Sequence, residues 1–281
     1  MMATQAKTSK PLSAFRGRLV LAGAGKMGGA MLTGWLARGL DPKNVSVIEP
    51  EPTKALKAWT RRGLAINAPR ERGSAAVIVI AVKPQNASEA FPALAARAGK
   101  STLVLSIMAG RTLGFIEGAF ASGTAVVRAM PNLPASIGRG ITVAVANRHV
   151  GKAQRALADN LLAATGTVEW VEKEKWLDAV TAVSGSGPAY VFLLAETLAE
   201  AAVVAGLPKE LAAKLARETV AGAGELLRQS PLDAAALRQN VTSPGGTTAA
   251  ALDVLMGPGG FETLMATAVA MATRRSRELA G

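Results

Sequence analysis

The chain has 281 residues, 49% hydrophobic and 19% charged, which is long and apolar enough for two packed domains and excludes a disordered polymer. It has no cysteine and a single histidine, His149, so disulfides, thiolate metal sites and His-cluster zinc sites are excluded. The formal charge of +12 is spread over short groups such as Arg61-Arg62, residues 70–72 and Arg274-Arg275-Ser276-Arg277, and aromatic residues make up only 4%. Without rings interleaved among the cations there is no base-stacking surface, so the positives belong to solvated helix faces and nucleic acid is not expected as a partner.

Residues 1–16 are polar and basic without the apolar centre of a secretory signal and are expected to form a flexible tail. No apolar run is expected to reach the roughly 18 residues of a membrane span, and a cytoplasmic protein is expected. Arg18-Leu19-Val20-Leu21-Ala22 then forms a strand that feeds Gly23-Ala24-Gly25-Lys26-Met27-Gly28, with a helical pattern from Ala30 to Leu36 behind it. Strand, glycine turn and helix are the context in which G-x-G-x-x-G binds a dinucleotide. Gly23 permits the turn, Gly25 lets the main chain approach a pyrophosphate, and Gly28 lets helix and strand close up. A second strand, Val45-Ser46-Val47-Ile48, ends in Glu49 about twenty residues after the glycines, where an acid accepts hydrogen bonds from the adenosine ribose. That favours NAD over NADP, although Lys54, Arg61 and Arg62 are near enough in sequence to meet a 2′-phosphate.

The alternation continues with a helix over 52–62 and a continuous apolar strand over 75–82, of the kind buried on both faces of a parallel sheet. Helices over 88–98 and 112–119 alternate with strands over 102–107 and 124–130. Two further strands, 141–145 and 167–171, bracket a helix over 151–164 and extend the sheet. Ligands bind beyond the carboxyl ends of strands in open parallel sheets, which singles out Val82-Lys83-Pro84, Ile107-Met108-Ala109-Gly110 and Met130-Pro131-Asn132. Taken alone, Lys83 is equally a solvated lysine and Asn132 a turn residue.

From Trp176 the patterns are helical only, over 176–183, 188–205, 208–229, 231–241, 247–256 and 261–279, with Pro188, Pro208 and Pro231 at helix starts. The expected domains are therefore 17–174, which binds the dinucleotide, and 175–281, which is helical. Alanine- and glycine-rich helices such as the one holding Ala221-Gly222-Ala223-Gly224 have little bulk to close a monomeric core, so an interlocked homodimer is expected. Within this half, Ser243-Pro244-Gly245-Gly246-Thr247-Thr248 stands immediately before an apolar helix. The unpaired N–H groups and positive end of that helix suit a carboxylate or phosphate, with hydroxyls at Ser243, Thr247 and Thr248 as further donors. The same six residues are also compatible with an ordinary capped loop.

Ser184-Gly185-Ser186-Gly187-Pro188-Ala189-Tyr190 and Val241-Thr242 with the six residues that follow, together with Ala81 to Gln85 and Arg128-Ala129-Met130-Pro131-Asn132, resemble pyrroline-5-carboxylate reductase. The likeness extends from the first strand to Leu279. It implies an α/β fold: a Rossmann-type dinucleotide-binding domain followed by an all-helical dimerisation domain like the C-terminal part of 6-phosphogluconate dehydrogenase. It further implies reduction of 1-pyrroline-5-carboxylate to L-proline, with reduced NADP or NAD as hydride donor, in a homodimer that could assemble further. Carried over by position, the substrate carboxylate would meet Ser243, Gly246 and the main chain of Thr247 and Thr248, and Thr181 would stand near the imine nitrogen. Cofactor contacts would come from Ala22, Gly23, Ala24, Gly25, Lys26 and Met27, from Ala81, Val82, Lys83 and Pro84, from Ile107, Met108 and Ala109, and from Asn240, joined by Glu49 and Asn132.

A protonated cyclic imine is already electrophilic, so position and charge complementarity are the main contributions such an enzyme must make. Thr181 is accordingly assigned orientation rather than proton donation; otherwise it is a helix hydroxyl bonded back to its own turn. Leu133 stands where the family commonly has threonine, and Met108 where it has alanine. A hydroxyacid dehydrogenase of the 6-phosphogluconate type would need a lysine shortly after the helical-domain glycine motif, and 188–207 contains none. A dinucleotide-sensing regulator would bind cofactor without turnover.

Overall fold

The computed structural model describes residues 11–69 and 73–280. These divide into two compact units, one made of 11–185 together with 273–280, the other of Ser186–Ala272.

The first unit is built on eight strands: β1 (Leu19–Ala22), β2 (Val45–Ile48), β3 (Ala65–Ile66), β4 (Val77–Ile80), β5 (Leu103–Ser106), β6 (Ala125–Met130), β7 (Gly140–Ala146) and β8 (Gly166–Trp170). They lie side by side in the order β3-β2-β1-β4-β5-β6-β7-β8. Leu19, Leu21, Val77, Val79, Leu103 and Leu105 share one apolar layer, and Val20, Ile78, Ile80 and Val104 share the other. That two-faced burial is why the central strands are apolar at successive positions instead of alternating. Helices α1 (Lys26–Ala37), α2 (Lys54–Ala58), α3 (Ala87–Ala95), α4 (Leu113–Glu117) and α5 (Lys152–Leu162) occupy the connections. Trp35 of α1 is fully buried, and its indole N–H donates to the Leu161 carbonyl of α5 at 2.8 Å.

All pairings are parallel except β6 with β7. The connection from Met130 to Gly140 holds only a short 3-10 turn, Leu133–Ile137, and is shorter than the roughly dozen residues a parallel crossover needs, so β7 must return antiparallel. The edge strand β3 was not expected; the sequence reads there as a connecting loop. Residues 11–16 also depart from the expected tail. Leu12 is buried and its N–H donates to the Arg38 carbonyl at 2.8 Å, which ties the entry of the chain to the end of α1. Residues 1–10 lie outside the described residues.

Helix α6 (Trp176–Val180) and the π-helical turn Thr181–Gly185 pack with the α/β unit, because Leu177 is buried among Val143 and Val145 of β7. The second unit holds α7 (Gly187–Val204), α8 (Lys209–Gln229), α9 (Ala234–Asn240), α10 (Thr247–Leu255) and most of α11 (Phe261–Ala280). Helix α9 starts three residues later than Pro231 suggests. The Asp233 carboxylate accepts from the Ala236 N–H at 2.8 Å as its cap, while Ser230 Oγ is taken by the Leu232 N–H at 3.1 Å.

Little of this unit is buried. Helix α7 buries no residue, and its Val191, Phe192, Leu193 and Leu198 are exposed. By length and composition Trp176–Val204 is the one stretch among the described residues apolar enough to cross a membrane, with a mean hydropathy of 1.4. This corrects the expectation that no apolar run reaches span length; Glu196 and Glu200 interrupt the run in the sequence without removing its apolar character.

Candidate active site

Strand β1 delivers the chain into the glycine turn at the carboxyl edge of the sheet. Gly23 has a φ of +89°, its N–H donates to the Ile48 carbonyl at 2.9 Å, and a Cβ there would lie 2.6 Å from the Ala81 carbonyl oxygen. Only glycine fits such a position. A Cβ on Gly28 would collide with the Gly23 carbonyl oxygen, so helix and turn could not close. Gly25 is the contrast, since a Cβ there would meet nothing within 4 Å. Helix α1 begins at Lys26 and Met27 with no side chain capping its first turn, so its N–H groups and positive end are offered outward. Two glycines closed by the fold and one left open fit the pyrophosphate of a dinucleotide.

Glu49, at the end of β2, faces this turn. Its Oε2 accepts from the Ala24 N–H at 2.7 Å and its Oε1 from the Glu51 N–H at 3.2 Å. Its main chain is gripped by Asn67, whose Oδ1 accepts from the Glu49 N–H at 2.9 Å and whose Nδ2 donates to the Glu49 carbonyl at 2.8 Å. Asn67 was missed in the sequence. The signal was an asparagine directly after the short apolar pair Ala65-Ile66: asparagine tolerates left-handed backbone best among non-glycine residues, and Asn67, with a φ of +50°, is the one such residue among those described.

At the next strand ends, the Ala81 N–H donates to the Ala22 carbonyl at 2.7 Å, and exposed Lys83 heads a short 3-10 turn over Pro84–Asn86. Arg111 braces that turn: its guanidinium donates to the Pro84 carbonyl at 3.3 Å and lies 4.5 Å over the Phe115 ring. Ile107 and Met108 are buried, and the Met108 side chain packs into the core with Val104 and Ile116. Met108 therefore has main chain and not side chain to offer a cofactor, while Ala109 is exposed beside it. Asn132 Oδ1 accepts from the Ile141 N–H at 3.0 Å, so this amide also fixes the start of β7. Leu133 next to it is 45% exposed.

Thr181 opens the π turn, and its Oγ1 donates to the Leu177 carbonyl at 2.7 Å. The turn sits on the carboxyl end of β6, where a Cβ on Gly185 would come within 2.6 Å of the Met130 methyl. Thr181 is thus in the unit that carries the glycine turn and strand ends. Ser184 in the same turn has a buried Oγ with no partner, a feature that a helical pattern conceals. The approach to α6 is held by Glu174, which pairs with the buried Arg128 of β6 at 2.7 Å and accepts from the Leu113 N–H at 2.7 Å.

Asn240 and the segment 243–248 lie in the second unit. Gly245 has a φ of +68°, and the Gly246 N–H donates to the Ser243 carbonyl at 3.1 Å. A Cβ on Gly246 would sit 2.5 Å from Ser243 Oγ, so glycine keeps that hydroxyl against the helix start. Helix α10 begins at Thr247 with no side-chain cap, leaving the first-turn N–H groups of Thr247 and Thr248 available to an anion. Asn240 ends α9, a few residues before this segment.

A parallel sheet with an open glycine turn at its carboxyl edge, followed by helices, defines a dinucleotide-dependent oxidoreductase. Residues 18–110 match a family described as NADP oxidoreductase, coenzyme F420-dependent, and residues 174–279 match one described as pyrroline-5-carboxylate reductase dimerisation. The pyrroline-5-carboxylate reductase of Synechocystis is 41% identical over 90% of this chain and 96% of its own. The solved structure of a pyrroline-5-carboxylate reductase from Coxiella burnetii superposes with a TM-score of 0.84 at 36% identity, covering 94% of this chain and 99% of that one. A pyrroline carboxylate reductase of Plasmodium falciparum, solved with NADP bound, gives 0.79 at 29% identity over 95% and 99%. The chain belongs to the pyrroline-5-carboxylate reductase family. It is an NAD(P)H-dependent oxidoreductase that reduces 1-pyrroline-5-carboxylate to L-proline, and neither a hydroxyacid dehydrogenase nor a silent dinucleotide sensor.

Proposed function

We propose that the substrate carboxylate is seated on the N–H groups of Thr247 and Thr248 and the Ser243 hydroxyl, with Gly246 giving access to the main chain. The observation that carries this reading is the uncapped start of α10, headed by a glycine whose extra methyl would displace Ser243 Oγ. Thr181 takes the orienting role at the ring nitrogen. Its hydroxyl hydrogen is committed to the Leu177 carbonyl, so its oxygen is left to accept, which suits the N–H of a protonated imine and not the bare nitrogen of a neutral one. The bound dinucleotide supplies the hydride. Residues 22–27, Glu49, 81–84, 107–109, Asn132 and Asn240 are the proposed seat of that dinucleotide, with Met108 contributing main chain only. Both charge and position are thereby provided without a strong acid.

A homodimer formed through the helical unit is part of the same proposal, supported by the exposed apolar surface of α7 and the match of 174–279 to a dimerisation family. So is a cytoplasmic location, checked by cell fractionation. The test of the seat is Gly246→Ala with Ser243→Ala. Both should raise the KM for 1-pyrroline-5-carboxylate roughly tenfold while leaving dinucleotide affinity unchanged. An unaltered KM in both would put the carboxylate elsewhere.

A further inference from the structure

The description matched by 18–110 and the Plasmodium falciparum structure both name NADP, whereas the surroundings of Glu49 in this chain point to the other dinucleotide. We propose that Glu49, clamped by Asn67, makes the enzyme NADH-selective, with Asn67 acting as the positioning residue. The inference rests on the dinucleotide seat described above and adds the choice between its two occupants.

Both Glu49 carboxylate oxygens are engaged by main-chain N–H groups, one from Ala24 in the glycine turn and one from Glu51, so the side chain is not free to swing away from an incoming ligand. Its backbone is equally fixed. The Asn67 amide closes a two-point grip on the Glu49 N–H and carbonyl, and Asn67 is itself held in left-handed backbone to do so. An ionised carboxylate only accepts hydrogen bonds. The 2′-hydroxyl of NADH can donate to it, whereas a 2′-phosphate brings a charge of roughly −1.5 to −2 and no donor to the same place.

Among the described residues, which leave out 70–72, no cation is ion-paired with Glu49. The Arg62 guanidinium is stacked 4.8 Å over the Trp59 ring, and among the described residues neither Lys54 nor Arg61 pairs with Glu49. Within the described residues the carboxylate thus has main-chain N–H partners and no cationic one. A like-charge juxtaposition of this kind discriminates strongly between partners.

Calorimetric titration of the full-length protein, without 1-pyrroline-5-carboxylate, would compare NADH with NADPH and ADP-ribose with its 2′-phosphate. NADH and ADP-ribose should bind at least roughly tenfold tighter than their phosphorylated counterparts. Glu49→Gln removes the charge at almost constant shape and should bring the two affinities to within a few-fold. Asn67→Gly keeps the left-handed backbone but loses the grip, and should weaken NADH several-fold. If Asn67→Gly melts early, Asn67→Asp, which keeps the acceptor and loses the donor to the Glu49 carbonyl, should weaken NADH in the same direction. Equal or tighter binding of NADPH by the wild type would overturn the proposal. An unchanged ratio in Glu49→Gln would remove Glu49 from it, and unchanged NADH affinity in the Asn67 variants would remove Asn67. An unaltered KM for the cyclic imine in the Ser243 and Gly246 variants would count against the α10 seat and leave this inference standing.

Discussion

A single hydroxyl sets the scale of what one residue can do in this site. Thr248 offers a main-chain N–H at the start of α10 and a side-chain donor beside it, and only the second is lost in Thr248→Ala. The expected cost is about 1–2 kcal/mol, seen as a roughly tenfold higher KM for 1-pyrroline-5-carboxylate with kcat nearly unchanged in steady-state kinetics. Thr181 should behave differently. Thr181→Val keeps the shape, removes the acceptor for the ring N–H, and should lower kcat/KM by roughly tenfold or more, whereas Thr181→Ser should retain most of it. Loss of activity in the serine variant equal to that in valine would assign Thr181 to packing. At this scale the glycines were legible in the sequence, because each needs a local backbone property. Asn67 was not, because its role depends on a partner eighteen residues back on a neighbouring strand. That Met108 turns its side chain into the core was not legible for the same reason: which way a side chain leaves a strand end is decided by the layer beneath it.

Elements were legible wherever the apolar period is long. The strands at 19–22, 77–80 and 103–106 and the crossover helices follow from continuous and 3.6-residue patterns, and the structure keeps them. What the period could not give was direction. β7 runs antiparallel because of the length of its connection, and the π turn at 181–185 is invisible to any pattern that assumes one helical pitch. That turn hangs from α6, and α6 from the contact of Glu174 with Arg128 and the Leu113 N–H. Arg128 is buried, with 5% of its side chain exposed, so removing its partner leaves a cation uncompensated. Glu174→Gln preserves an acceptor for Leu113 and loses only the charge. It should destabilise the enzyme by about 3 kcal/mol in denaturant titration. A loss below about 0.5 kcal/mol would mean that water already serves the guanidinium, as it does for surface pairs.

For the whole molecule, the question is what covers the helices. An apolar helix with hydrophobic side chains around most of its circumference belongs inside a core, yet α7 buries none of its residues within one chain. Phe192 and Leu193 are 58% and 57% exposed, and Leu226, Leu227, Val254, Leu264 and Met271 on α8, α10 and α11 are exposed as well. A soluble monomer rarely shows a contiguous apolar patch larger than a few hundred Å², so exposure on this scale fits the second copy proposed above, in keeping with the dimerisation family matched by 174–279. The carboxylates Glu196 and Glu200 disfavour lipid as the alternative cover, since a charge in hydrocarbon is costly and one subunit can pair or solvate it at an interface rim. Sedimentation at micromolar concentration should therefore give twice the 28.7 kDa of one chain or a multiple of it, and the melting temperature should rise with protein concentration. Phe192→Asp should shift the protein toward monomer and lower that temperature, because it replaces about 1.5–3 kcal/mol of apolar burial per subunit with a charge that must stay hydrated. A concentration-independent monomer in the wild type would leave these helices without their proposed cover. Such a result would also remove the reason for an alanine- and glycine-rich α8, whose small side chains make sense where a second set of helices approaches closely.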